Sequence, residues 1–263
     1  MVPPLDRPLP RQVAWFFVGY VVLLQVSYPL VPGPARGGLT ILTVGGFAAA
    51  SLLQVGSERG HRAAATLLAI AGGTGFAVEL LGVHTGFPFG SYSYTHRLGP
   101  ELASVPLIIP LAWTMMSWPA LVATRRLVHG PVRTALVGGL ALASWDLFLD
   151  PQMVAAGNWV WQTKGPAVQG IPLTNDLGWL ATAVLLIAAL DRALPRQPSV
   201  SDAVPICLYL WTWIGSVIGN VFFFGRPLVA LIGGVTMGVI AVPLAGTLRS
   251  RQQATQRTPI TAR

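Results

Sequence analysis

The chain has 263 residues, of which 53% are hydrophobic and only 10% are charged. Soluble domains carry roughly 25% charged residues, so a mean hydropathy of +0.61 excludes an ordinary soluble enzyme and predicts an all-α, polytopic membrane bundle. A formal net charge of +8 would suggest nucleic acid in a soluble chain; here it reflects topology-setting arginines, and no nucleic-acid partner is expected.

Eight apolar segments, seven of 19 to 23 residues, enough to cross a bilayer, and a shorter sixth of 14, follow one another at 12–31, 38–56, 63–82, 102–124, 131–150, 177–190, 203–224 and 227–248. Pro32-Gly33-Pro34 closes the first, and Glu58, Arg59, His61 and Arg62 form the turn after the second. A polar loop follows the third, Arg125-Arg126 closes the fourth, and a Trp-rich loop follows the fifth. The first segment is too long for a signal-peptide core and has no small-residue cleavage site. Residues 1–248 are read as one integral-membrane helical domain, and the polar tail 249–263 as a disordered cytoplasmic segment. The single cysteine, Cys207, sits inside an apolar run, which excludes an internal disulfide, a cysteine-pair metal site and a redox motif.

Charge sets the expected topology. With eight spans, Arg36, Arg97, Lys164 and Arg226 fall on one side, and the other thirteen Lys and Arg residues on the opposite side. The positive-inside rule then puts both termini of a multi-pass plasma-membrane protein in the cytoplasm. Glu79, Asp146, Asp150, Asp176, Gln25 and Asn220 all lean toward the outer side, and both long loops lie there. An ionisable group within a span costs roughly 2.5 to 3.5 kcal/mol and marks a functional site by default. Interhelical hydrogen bonding is the plainer account of Gln25 and Asn220.

Two stretches carry the chemistry. Trp145-Asp146-Leu147-Phe148-Leu149-Asp150-Pro151 leads into a loop with Trp159 and Trp161, then into Gly170-Ile171-Pro172-Leu173-Thr174-Asn175-Asp176-Leu177-Gly178-Trp179. On a helix Asp146 and Asp150 share a face. Two carboxylates so placed repel, so one tends to keep its proton and can serve as a general acid. The alternative for Asp150 is a wet helix end, with Pro151 stopping the helix. The second stretch runs from Glu79-Leu80-Leu81-Gly82-Val83 to Gly86-Phe87-Pro88-Phe89-Gly90-Ser91-Tyr92-Ser93-Tyr94. Its glycines and proline suit a tight re-entrant turn, and its aromatics suit either an interface belt or a pocket wall. His84 and His96 lack the spacing of a metal box, so no metal site is expected.

These stretches, with Leu98-Gly99-Pro100, Val105-Pro106-x-x-x-Pro110-x-x-Trp113 and Trp159-x-Trp161, resemble the integral-membrane carotenoid biosynthesis family, strongly over 72–179 and elsewhere mainly in hydropathy. That family includes hydratases of open-chain psi ends of carotenoids. The chain departs from the family pattern at Pro166-Ala167-Val168-Gln169 and at Asp176, positions where family members carry aromatic residues. Asp176 therefore inherits no family role, and the pocket near Asn175 suits a different substrate.

The resemblance implies a cofactor-independent hydratase with a carotenoid substrate. Hydration of a trisubstituted alkene needs an acid near C2, support for a tertiary cation at C1, and a water. Asp146 is the expected proton donor, with Asp150 or Glu79 orienting the water. Tyr92, Tyr94, Trp145, Trp159, Trp161, Asn175 and Trp179 are the expected substrate-binding residues, the aromatics through cation–π contact. The bilayer and other carotenoid-pathway enzymes are the expected partners. Two alternatives stay open. Asp146-xxx-Asp150 matches the DxxxD pattern of a magnesium-dependent intramembrane prenyltransferase, and a non-catalytic carotenoid-binding or transport protein would use the acids only to gate or pack. Spans three and five are expected to pack together around one cavity.

Overall fold

A computed structural model describes residues 8–31, 33–162, 165–194, 196 and 201–257, with side chains described for 11–31, 33, 35–162, 165–194, 196 and 201–249. Pro32, Pro34 and Lys164, used in the topology argument, fall outside the described side chains. The fold is an all-helical bundle. Its helices are α1 (Pro8–Ser27), α2 (Arg36–Arg59), α3 (His61–Leu67), α4 (Gly73–Thr85), α5 (Ile108–Leu127), α6 (Pro131–Ala155), α7 (Leu173–Ala193), α8 (Ala203–Ile218) and α9 (Pro227–Arg257). The π-helical turn Leu68–Gly72 joins α3 and α4 into one span, and a second, Gly219–Phe223, extends α8. Such turns insert a residue without breaking the hydrogen-bond ladder.

Seven spans among the described residues are long and apolar enough to cross a membrane. The eighth expected span, α5, falls short by composition because its middle carries Trp113, Thr114, Ser117, Trp118 and Pro119. Every side chain from Trp113 to Thr124 is buried, and α5 packs against α2, α4, α6, α7, α8 and α9. A helix hidden from lipid on all sides needs packing volume and hydrogen bonds more than apolar character. Its start at Ile108 is later than hydropathy suggests, because Glu101–Leu102 (β2) and Val105–Pro106 (β3) form a short hairpin first. α9 runs past the expected span end at Leu248 as far as Arg257; the last tail residues, 258–263, lie outside the described part.

Polar residues divide between the two ends of the bundle. At one end Arg125 pairs with Asp191 at 2.7 Å and Arg126 with Asp202 at 2.6 Å. There too the Trp118 indole donates to Gln54 at 2.7 Å. These bonds lock the ends of α2, α5 and α7 and the start of α8. The acids of the candidate site lie at the other end. Two short strands, Tyr92–Tyr94 (β1) and Trp159–Trp161 (β4), pair there as an antiparallel ribbon. Ala167–Val168 (β5) and Ile171–Pro172 (β6) form a second hairpin that leads into α7.

Candidate functional site

Helix α6 does not stop at Pro151. It continues to Ala155 with Pro151 inside it, and Asp146 and Asp150 are 1% and 4% exposed. The wet-end reading of Asp150 is therefore corrected: the carboxyl turns inward. Both acids face α7 because the two helices approach closely. A methyl group on Gly139 would lie 2.3 Å from Val184 Cγ2, and one on Gly138 2.6 Å from Ile187 Cγ2, so bulkier residues would force α6 and α7 apart. The contact brings Asn175, in the first turn of α7, against both acids. Its Nδ2 donates to Asp150 Oδ2 at 2.5 Å and to Asp146 Oδ2 at 3.0 Å. Asp146 Oδ1 is buried and accepts no hydrogen bond.

Glu79, on α4, has a different environment. Tyr92 and Tyr94 donate to its Oε2 at 2.5 and 2.8 Å, and the Trp113 indole donates to Oε1 at 3.3 Å. Burial, then the negative charge of Glu79, push both phenols above the ordinary tyrosine range. They stay protonated and can only donate to the carboxylate. The side-chain period of two explains why both reach it: Tyr92 and Tyr94 share one face of the ribbon with their partners Trp161 and Trp159, while Ser93 and Val160 point to the other. Glycines again make room. A methyl on Gly75 would lie 2.4 Å from Trp113 Cγ, and one on Gly82 2.8 Å from the Tyr92 hydroxyl.

Glu79, Asp150 and Asn175 line one small cavity, together with Tyr92, Tyr94, Trp159, Trp161 and Trp179. The space open to water is about 30 Å³, against the roughly 10–15 Å³ that one water requires. The Trp161 indole N–H is buried without a partner. Trp113 and Trp179 stack at 4.1 Å and 7° across the cavity wall, and Trp145 meets Trp179 edge-on at 6.1 Å.

Six of the seven expected binding residues thus line the small cavity, and Asp146 joins it through the shared amide of Asn175. Trp145 does not line it; its ring lines a second, larger cavity of about 320 Å³ between α1, α2, α6 and α8, whose wall is mostly apolar. Direct packing of spans three and five is also corrected. Span three packs chiefly against α5 and α2, with a smaller contact to α7, and its acid faces Asp150 across the cavity. Asp176 is half-buried and lines neither cavity. His96 is exposed and pairs with Glu101 at 2.9 Å, and His84 is bound to the Leu80 carbonyl of its own helix. Sequence reasoning missed Trp113 as a site residue, although it closes the Val105-Pro106-x-x-x-Pro110-x-x-Trp113 motif. It also missed Phe89, whose ring is 1% exposed and packs against Trp179 and Tyr92.

Apolar helices long enough to span a membrane, with buried carboxyls and an aromatic-lined cavity among them, define a polytopic membrane protein with a buried acid cluster. The family described as "Carotenoid biosynthesis protein" matches residues 37–240, and the chain belongs to that family. It is 31% identical over 237 residues to the bisanhydrobacterioruberin hydratase of Haloarcula japonica, covering 84% of this chain and 79% of that one. No solved structure gives a significant match.

Proposed function

We propose that the chain is a cofactor-independent hydratase. It adds water across the terminal psi-end double bond of an acyclic or monocyclic carotenoid. The observation that carries this reading is a water-sized, aromatic-walled cavity lined by the buried carboxyls of Glu79 and Asp150, with a third buried carboxyl, Asp146, tied to it through the Asn175 amide. The likeness to a hydratase supports the same chemistry. The two acid environments divide the work. Glu79 accepts three donors and has the partners of an ionised carboxylate. Asp146 and Asp150 converge on one amide, an arrangement that favours a single shared proton.

In the proposed step Asp146 gives its proton to C2 of the alkene, and the positive charge develops at C1. The faces of Trp145 and Trp179 and the negative charge of Glu79 stabilise that cation. The water oxygen then bonds to C1 and loses a proton to Glu79 or Asp150, leaving a tertiary alcohol. A proton passed back to Asp146 restores the site. The larger apolar cavity takes the polyene from the bilayer, where other carotenoid-pathway enzymes would deliver it.

Expression in a host that makes a carotenoid with psi ends tests the reaction. Pigments are expected to gain the mass of one or two waters. A gain of isoprenoid units would favour the prenyltransferase reading, and unchanged pigments the binding protein. Carboxylate acid catalysis needs no divalent ion, whereas DxxxD transfer does. Water addition by isolated membranes is therefore expected to survive a strong chelator; full loss restored by magnesium would contradict the hydratase. We also place the protein in the plasma membrane with both termini cytoplasmic, which puts the acid site toward the outer side. Reporter fusions after Arg126 and after Lys164 are expected to report opposite sides.

A further inference from the structure

The small cavity lined by Glu79, Asp150 and Asn175 and the larger one have a single lining residue in common, Leu149. It sits on α6 between Trp145, Phe148, Gln152 and Met153, which face the large cavity, and Asp150, which faces the small one. Its side chain is half-buried, while its neighbours Phe148 and Asp150 are 2% and 4% exposed. The volumes differ in kind. About 320 Å³ lies at the low end of sites that hold a sizeable organic ligand. About 30 Å³ holds water but not a branched alkene end. An end group held in the large cavity can meet a water held in the small one only at the wall between them.

We propose that Leu149 is a specificity-determining residue that positions the reacting end of the polyene. Its isobutyl group is the partition between the large chamber and the water-sized one, and it fixes how far the terminal alkene advances toward Asp150 and Asn175. A slim open-chain end slides past its methyl groups, and a ring end is held back. This assignment rests on the hydratase reading above.

The test separates binding from turnover in detergent-solubilised full-length protein supplied with a carotenoid that has psi ends. Polyene uptake is read from the change in its visible absorption, and alcohol formation by mass. Leu149→Met conserves volume and is expected to keep kcat within a few-fold of the wild type. Leu149→Phe thickens the partition. It is expected to lower kcat about 100-fold, the cost of misplacing a reacting group by about 1 Å, while uptake stays within a few-fold. Leu149→Ala keeps the chain foldable without the bulk and is expected to lower kcat more than it changes uptake. Full turnover by Leu149→Phe, or uptake and turnover falling together in both Leu149→Phe and Leu149→Ala, would overturn the assignment. Wild-type protein that takes up the polyene and forms no alcohol would instead overturn the hydratase reading, and the role of Leu149 with it.

Discussion

Asp146→Asn is expected to abolish water addition while the protein still inserts and folds. The substitution keeps the shape of the side chain and removes its acidic proton. A positioned general acid contributes about 10²- to 10⁴-fold in rate, and an alkene offers no easier site to protonate, so the loss should reach the upper part of that range. Retained fold is expected because the Asn175 amide still finds an oxygen acceptor at 146. Alcohol formed per amount of membrane-inserted protein is the measurement. A fully active Asp146→Asn would leave the geometry standing and remove Asp146 as donor. Asp150, which shares the same amide, would then take that role.

Glu79→Gln is expected to have the second largest effect, for another reason. The wild-type carboxylate accepts from Tyr92, Tyr94 and Trp113 and offers no donor when ionised. A glutamine keeps one carbonyl oxygen and places an NH₂ among groups that also donate, so at least one buried donor loses its acceptor. An unsatisfied buried donor costs about 1–3 kcal/mol. The negative charge opposite the developing cation is lost as well, a kind of term that mutagenesis puts at about 10²- to 10³-fold in kcat. A lower midpoint of thermal unfolding together with a fall in kcat is therefore expected. Tyr92→Phe removes only one of the three bonds and should cost much less in rate. A fall in Glu79→Gln confined to stability would mark Glu79 as a structural anchor for the ribbon.

How much of this was legible beforehand depended on whether the cause was local. The four-residue spacing of Asp146 and Asp150 was enough to place them on one face, because helix geometry is set within a turn. The closeness of Glu79 to Tyr92 and Tyr94 could be inferred from their shared motif, and the Gly86 to Gly90 turn folds them back. The pairing of that segment with Trp159–Trp161 was not legible, since two three-residue strands carry too little pattern to fix a register. Trp113 was overlooked because its role depends on a fourth helix meeting α4 and α7. The Pro151 signal misled for a related reason: a proline ends an isolated helix, but α6 runs on to Ala155 with its end tied through Met153 to Asn158. Hydropathy placed the α5 span but not the reason for its polar middle, which lies in burial against other helices. The large cavity draws its wall from α1, α2 and α8, outside the stretch whose motifs could be read, so Leu149 stood out only once both cavities were in view.

The central claim is that protein carboxyls add solvent water to an alkene. Isotopic labelling of the product tests it most directly. Membranes carrying the chain would be incubated with a carotenoid that has psi ends, once in ¹⁸O-labelled water and once in deuterated water. The account predicts an alcohol whose oxygen comes from the labelled water and, in the second experiment, one deuterium on the carbon next to the one that bears the hydroxyl. Oxygen drawn from dioxygen, or a product extended by an isoprenoid unit and free of label from water, would contradict it.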